Sequence, residues 1–171
     1  LISPSTQNGK EEMFVSKRGR YLAKQESFEL IPGSPYSYWI SESGLKTFDN
    51  PSMGSYAEIV SGMTTGDNDT FLRGWTELIY KKIAFDYTDV SQIYLQKTKW
   101  IPYHKGGEMR KWYGNHEYVV NWARSGEFNR AKTTMTHVYL KPCITWSDIS
   151  GTSFAGRYCK GGFMFDVKGS C

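Results

Sequence analysis

Apolar and polar positions are most clearly organised in the second half of the chain. There KWIPY, EYVVNW, THVYL, CITWSD and GFMFDV are short apolar or alternating runs set between turn residues, and each predicts a strand. The first half is punctuated differently. In FELIPGSPYSYWISES a short strand precedes a Pro-Gly turn and a helix start, with Ser34 as cap and Pro35 at the first helical position. Tyr36, Trp39 and Ile40 are expected on the buried face of that helix, and the turn residues of FDNPSMGSY end it near Asn50. YAEIVSGMTTG reads as a short element running into a Gly-flanked strand. In TTGDNDTFLRGW either Asp67 or Asn68 caps one helical turn holding Phe71, Leu72 and Trp75. Between Thr76 and Phe85 the frequency of Ile, Tyr and Phe favours a strand, and TDVSQIYLQKTKW favours a helix capped by Thr88 or Asp89.

The pattern is α+β, with helices mainly in the N-terminal half and short, mostly antiparallel strands in the C-terminal half. It divides into an N-terminal extension over residues 1–27, whose order it leaves open, and a single unit over 28–171. At 171 residues, 39 % of them hydrophobic and 16 % aromatic, the chain can bury a sizeable core. No apolar run approaches the roughly 18 residues a membrane span needs, and LISPSTQNGKEE is no signal peptide. Cys143, Cys159 and Cys171 show neither a disulfide framework nor a zinc spacing, which fits an intracellular origin. A start at Leu1 and a stop just after FMFDVKGS suggest an excised piece.

The net charge of +4 is mild, but its distribution is lopsided. Residues 97–132 hold eight basic and three acidic side chains, whereas residues 41–96 hold four basic and eight acidic ones. Inside the positive part lies WIPYHKGGEMRKWYGN. Lys105, Arg110 and Lys111 supply charge there, while Gly106 and Gly107 leave main-chain N–H groups open to close approach, a combination suited to phosphate. Trp100, Trp112 and Tyr113 either stack on unpaired bases or pack as a core beneath a β-turn. TTGDNDTFLR places Thr65, Gly66, Asn68 and Arg73 in a tight turn that is either a recognition loop or an ordinary capped turn. ITWSDISGTSFAGRYC offers Trp146, hydroxyls at Thr145, Ser147 and Ser150, and Arg157, which either read DNA edges or satisfy a strand and its loop.

Several chemistries are missing. The seventeen glycines include no G-x-G, and no G-x-x-x-x-G-K-[ST] occurs, so neither a dinucleotide nor a methyl-donor nor a nucleotide-phosphate loop is present. No two prolines are adjacent, which excludes an N-P-P-Y block. The three histidines have no metal-ligand spacing, and no serine lies in G-x-S-x-G. No catalytic, cofactor or metal residue is assigned.

Taken in order, IPGSPYSYW, TTGDNDTFLRGW, KWIPYHKGGEMRKWYGNHEYVVNW, ITWSDIS, FAGRYC and GFMFDVKGS resemble the region after the catalytic domain in BREX-type, PglX-like adenine-specific DNA methyltransferases, from about Phe28 to Cys171. The resemblance implies a bacterial, cytoplasmic parent that transfers a methyl group from S-adenosylmethionine to adenine N6 in duplex DNA. Its methyl-donor and N-P-P-Y motifs lie upstream of the matching region. By the same resemblance this chain is a non-catalytic piece, without cofactor of its own, that contacts double-stranded DNA and its own upstream methyltransferase domain. It holds the junction and the truncated beginning of a TaqI-like target-recognition domain. Thr65, Gly66, Asp67, Asn68 and Arg73 match the family's T-G-x-N turn, Lys105, Gly106, Gly107, Arg110 and Lys111 its K-G-G loop, and Thr145, Trp146 and Ser147 its T-W-S strand. A glycan-binding module and a purely structural junction stand as the alternatives.

Overall fold

The computed structural model describes residues 4–149 and 153–171 and divides the chain into two compact units, 1–57 and 58–171. Among the described residues of the first unit are three short helices, α1 (Gln7–Val15), α2 (Glu26–Glu29) and α3 (Glu42–Leu45). Thr6 caps α1 and Ser41 caps α3, each hydroxyl accepting a main-chain N–H three residues on. Ile31 is the one buried hydrophobic side chain among them.

Two sequence expectations fail in this unit. FELI is not a strand: its Phe28 and Glu29 close the single turn α2, and Leu30 and Ile31 follow it. The helix expected from Ser34 begins seven residues later, at Ser41, although it does give way at Asn50. The cause is local: Gly33 (φ 82°) and Ser34 (φ 47°) are both left-handed, whereas an N-cap needs the extended backbone that Ser41 has. Tyr36 and Trp39 are therefore exposed, at 81 % and 58 %, and line no buried face.

The second unit is built on a four-stranded sheet in the order β1 (Leu72–Gly74), β3 (Tyr118–Asn121), β2 (Trp100–His104), β6 (Met164–Phe165). β3 runs antiparallel to both neighbours and β6 parallel to β2. A two-stranded antiparallel ribbon pairs β4 (Cys143–Thr145) with β5 (Arg157–Cys159). α4 (Asn68–Phe71) and α5 (Val90–Gln96) are capped by Asp67 and Asp89. In the second cap Gln92 accepts the N–H groups of Thr88 and Asp89 in return. Among the described residues no helix is long and apolar enough to cross a membrane.

Two further expectations are corrected. Thr76–Phe85 is two 3-10 turns, not a strand, because Glu77 folds back to accept the Gly74 N–H at 2.8 Å. THVYL is likewise not a strand: a 3-10 turn leads into it, and Leu140 adopts a left-handed φ of 65°. Its Tyr139 and Leu140 are nevertheless fully in the core. Leu72 opens β1 instead of completing the helical turn.

Every residue of β2 is buried, as a central strand with both faces covered requires. Edge-to-face rings continue the core from the sheet: Phe71 on Phe128 (5.0 Å), Phe128 on Trp122 (6.2 Å), Trp122 on Tyr139 (6.1 Å) and Tyr139 on Phe165 (5.2 Å).

One buried carboxylate ties the sheet together. Asp166, 1 % exposed, accepts the Tyr103 hydroxyl and the Lys105 ammonium on Oδ2, both at 2.7 Å, and the Lys168 N–H on Oδ1 at 2.9 Å. Burial, then the charge of Asp166, pushes the Tyr103 phenol far above its ordinary value, so it stays a donor. Asp166→Ala leaves three donors without their acceptor, the fully buried Tyr103 hydroxyl among them. It is expected to cost about 3 kcal/mol in urea unfolding, within the range for breaking a buried charge pair.

Candidate nucleic-acid interface

The T-G-D-N turn is locked from inside. Thr65 is buried, its hydroxyl donates to Asn68 Oδ1 at 3.0 Å, and its carbonyl accepts the Asn129 N–H at 3.1 Å. Gly66, at φ 86°, faces Asn129 at a distance a β-carbon would make tight. Asp67 takes both the N–H and the hydroxyl of Thr70, and these bonds hold its carboxyl below the usual range. Arg73 donates to the carbonyls of Asp69 and Leu72. Asn68 and Arg73 meet Lys105 across an open depression of about 470 Å³ that also includes Asp69 and Glu77.

The K-G-G loop leaves β2 after His104. Lys105 points back to Asp166, and Gly106 lies against the last turn of the chain: a β-carbon there would stand 2.3 Å from the Lys168 carbonyl oxygen. Gly107, by contrast, is exposed at φ 104° with only the Asn115 side chain near. Asn115, buried and left-handed at φ 61°, donates from Nδ2 to the Glu108 carbonyl and closes the loop. Arg110 pairs with Glu117 at 2.9 Å on the surface. Lys111 is exposed and has no ion-pair partner among the described residues. Beneath the loop, His104 stacks on Phe163 at 4.2 Å, and His116 packs on Phe163, His104 and Tyr113.

The T-W-S strand and Arg157 join the same face. The Thr145 hydroxyl is fully buried and donates to the Gly169 carbonyl, Trp146 is half-buried, and Ser147 is buried with its hydroxyl unpartnered. Arg157, 1 % exposed, donates from Nη1 to the carbonyls of Arg110 and Ala155, while its Nε has no partner. Burial lowers its pKa. Trp112 docks the K-G-G loop on β5: its N–H donates to Gly156 and its carbonyl accepts from Tyr158. Over that join opens an apolar cleft of about 360 Å³, walled by Trp112, Ile144, Phe154 and Tyr158, with Lys111 and Arg157 among its lining.

The structure thus unites the K-G-G loop, the T-W-S strand and Arg157, while the T-G-x-N turn approaches them only through Lys105. It also divides the tryptophans: Trp100 is core, whereas Trp112 is 80 % exposed. Ser150 lies outside the described residues. The cleft walls escape sequence reasoning because Ile144 belongs to a run that reads as an ordinary strand, CITWSD, and nothing in FAGRYC shows that Phe154 and Tyr158 stand beside it. Asp166 had a signal: one carboxylate inside the apolar run GFMFDV. Among the described residues no group of His, Cys, Asp and Glu is arranged to hold a metal.

No protein-family model matches the chain. It is 44 % identical over 188 aligned positions to the adenine-specific methyltransferase PglX of Lacticaseibacillus casei (strain Zhang), covering 99 % of this chain and 16 % of that protein. It is 38 % identical over 151 positions to the adenine-specific methyltransferase BrxX of Escherichia coli O9:H4 (strain HS), covering 85 % of this chain and 12 % of that protein. The chain therefore spans about a sixth or less of the length of these curated relatives.

Gly106→Ala should destabilise the second unit by about 2–4 kcal/mol, since it combines a left-handed φ with main-chain overlap, whereas Gly107→Ala pays only the first term. Chemical unfolding of the two variants checks the difference. A pH dependence follows from His116, whose pKa burial holds below the ordinary value of about 6.5. Below that pH the unfolded chain takes up a proton that the native imidazole refuses, so stability falls as pH drops from about 6.5 until the native group also titrates. His116→Gln should flatten this part of the urea-midpoint profile between pH 7.5 and 5.5.

Proposed function

Because the chain belongs, as one segment, to the family of PglX- and BrxX-type adenine-specific methyltransferases, we propose that it is a non-catalytic, DNA-contacting part of such an enzyme. On this reading it forms the junction after the catalytic domain and the beginning of the target-recognition region of a BREX phage-defence methyltransferase. The parent takes its methyl group from S-adenosylmethionine at residues outside this chain, and no transfer step is assigned to the residues described here.

The observation that supports this reading best is the exposed face around Trp112. Trp112, Tyr113, Phe154 and Tyr158 are 62–80 % exposed, next to the cations Arg110 and Lys111. Contiguous exposed rings mark an interaction surface, and cations beside them suit a polyanion whose bases or sugars offer flat faces. Arg110 and Lys111 then hold phosphates, with Gly107 allowing close approach of the main chain. Lys105, Thr65, Arg73 and Thr145 serve this face indirectly, since their polar groups are committed to internal bonds. Asn68, Gly66, Trp146, Ser147 and Arg157 shape its supports, and Gly106 lets the loop settle on the Lys168 turn.

The experiment is fluorescence anisotropy with duplex DNA over a salt series, comparing the chain with its Arg110→Ala/Lys111→Ala double variant. Affinity should fall about equally on all duplex sequences, and the salt slope should become shallower by about one unit per lost phosphate contact. These side chains are exposed, so the fold is expected to survive the change, as circular dichroism can verify. An unchanged affinity and slope would sink the DNA reading. Salt-independent binding to a neutral oligosaccharide would favour the glycan module in its place.

A further inference from the structure

All three cysteines meet at one place. Cys143 on β4 stands opposite Cys159 on β5 in the antiparallel register, and the sulfurs of Cys143 and Cys171 lie 2.9 Å apart. The three thiols are unbridged. Main-chain bonds hold the last residues in position: Val60 N–H donates to the Cys171 carbonyl at 2.8 Å, Cys171 N–H to the Val60 carbonyl at 3.2 Å, and Trp146 N–H to the Ser170 carbonyl at 3.1 Å. The Thr145 hydroxyl adds a fourth bond, to the Gly169 carbonyl. The contact between the two sulfurs is therefore set by the fold.

We propose that Cys143 and Cys171 are a redox pair that closes to a disulfide under a two-electron oxidant of the peroxide class, while Cys159 stays reduced. The sulfurs need to approach by only about 0.9 Å to reach the disulfide bond length of about 2.05 Å. Both residues are partly accessible, whereas Cys159 is 3 % exposed and its sulfur is engaged by the Gly161 N–H at 3.4 Å. Contact with Cys143 and burial push the Cys159 thiol up to about 12, and its burial keeps the oxidant from it. For Cys143, contact with Cys159 acts downward, but contact with Cys171 and burial outweigh it and bring that thiol to about 12 as well. Cys171, the partly accessible sulfur that lies outside the β4–β5 ribbon, is the one assigned to meet the oxidant first.

The step balances. The Cys171 thiolate, its proton released to water, attacks one oxygen of hydrogen peroxide, breaks the O–O bond and becomes a sulfenic acid as hydroxide leaves. The Cys143 sulfur then attacks the Cys171 sulfur; the S–S bond forms, the S–O bond breaks, and the hydroxyl departs as water with the Cys143 proton. Two thiols and one peroxide give one disulfide and two waters. The bond fastens β4 to the segment that follows β6, closing a loop across 28 sequence positions.

Peptide mapping tests this directly. The reduced 171-residue chain is treated with hydrogen peroxide, quenched, denatured, alkylated with N-ethylmaleimide and cut with trypsin. Cleavage after Arg157, Lys160 and Lys168 puts each cysteine on its own peptide. The expected product is one linked pair carrying Cys143 and Cys171, two hydrogens lighter than the reduced peptides and released by dithiothreitol, with Cys159 alkylated. Cys171→Ser should abolish the link and Cys159→Ser should leave it in place; the map of the unsubstituted chain decides even if the second variant fails to fold. A link that includes Cys159, a link between two chains, three alkylated thiols, or zinc retained by the chain that blocks the oxidation would each overturn the proposal.

Discussion

The second unit depends on one charge placed where water does not reach. Asp166 sits at the end of the shortest strand of the sheet, and β6 pairs with β2 through only two residues. What holds so small a strand is the carboxylate, which gathers a phenol from inside β2, an ammonium from just past it and the main chain of the turn that follows. A buried carboxylate tolerates that position only while both of its oxygens are hydrogen-bonded. Its demand for partners fixes where β2 ends and the K-G-G loop begins. The lysine that looks most available to a phosphate in the sequence is thereby committed to the scaffold.

The loop itself is held out of ordinary backbone geometry. Gly106, Gly107, Trp112, Gly114 and Asn115 all have positive φ, two of them without glycine's freedom. For Trp112 this conformation is unfavourable by roughly 1–2 kcal/mol, which the paired bonds to Gly156 and Tyr158 offset. The outcome is a large ring presented to solvent from a rigid seat. Strain of this kind persists only where the surrounding bonds over-determine the backbone, as those to Gly156 and Tyr158 do.

The sequence was most informative where a local rule acts alone. The caps at Asp67 and Asp89, the strands at KWIPY and EYVVNW and the turns at Gly66 and Gly106 follow from neighbouring residues and are in place. It misled where a distant partner or a backbone sign decides. Ser34 has a cap's chemistry but a left-handed φ, and THVYL has a strand's alternation but is ended by Leu140. At the candidate interface, residue types do not reveal which side chains are committed to internal bonds. Nothing local distinguishes Lys105, which has a partner 61 positions away, from Lys111, which has none among the described residues. The meeting of three cysteines depends on β4–β5 register and on the Val60 pairing, neither of which spacing encodes.

The contrast between the two units has a colloidal side. Residues 1–57 contain six basic and six acidic side chains, so the whole +4 of the chain is carried by residues 58–171. The net-neutral piece is also the one with a single buried hydrophobic side chain among its described residues, and it exposes Phe14, Val15, Leu22, Tyr36 and Trp39. Without net charge there is little electrostatic repulsion between copies, and with exposed apolar groups there is short-range attraction. The first third thus adds attraction between copies without adding repulsion, and ionic strength, which weakens what repulsion the second unit supplies, shifts the balance toward association.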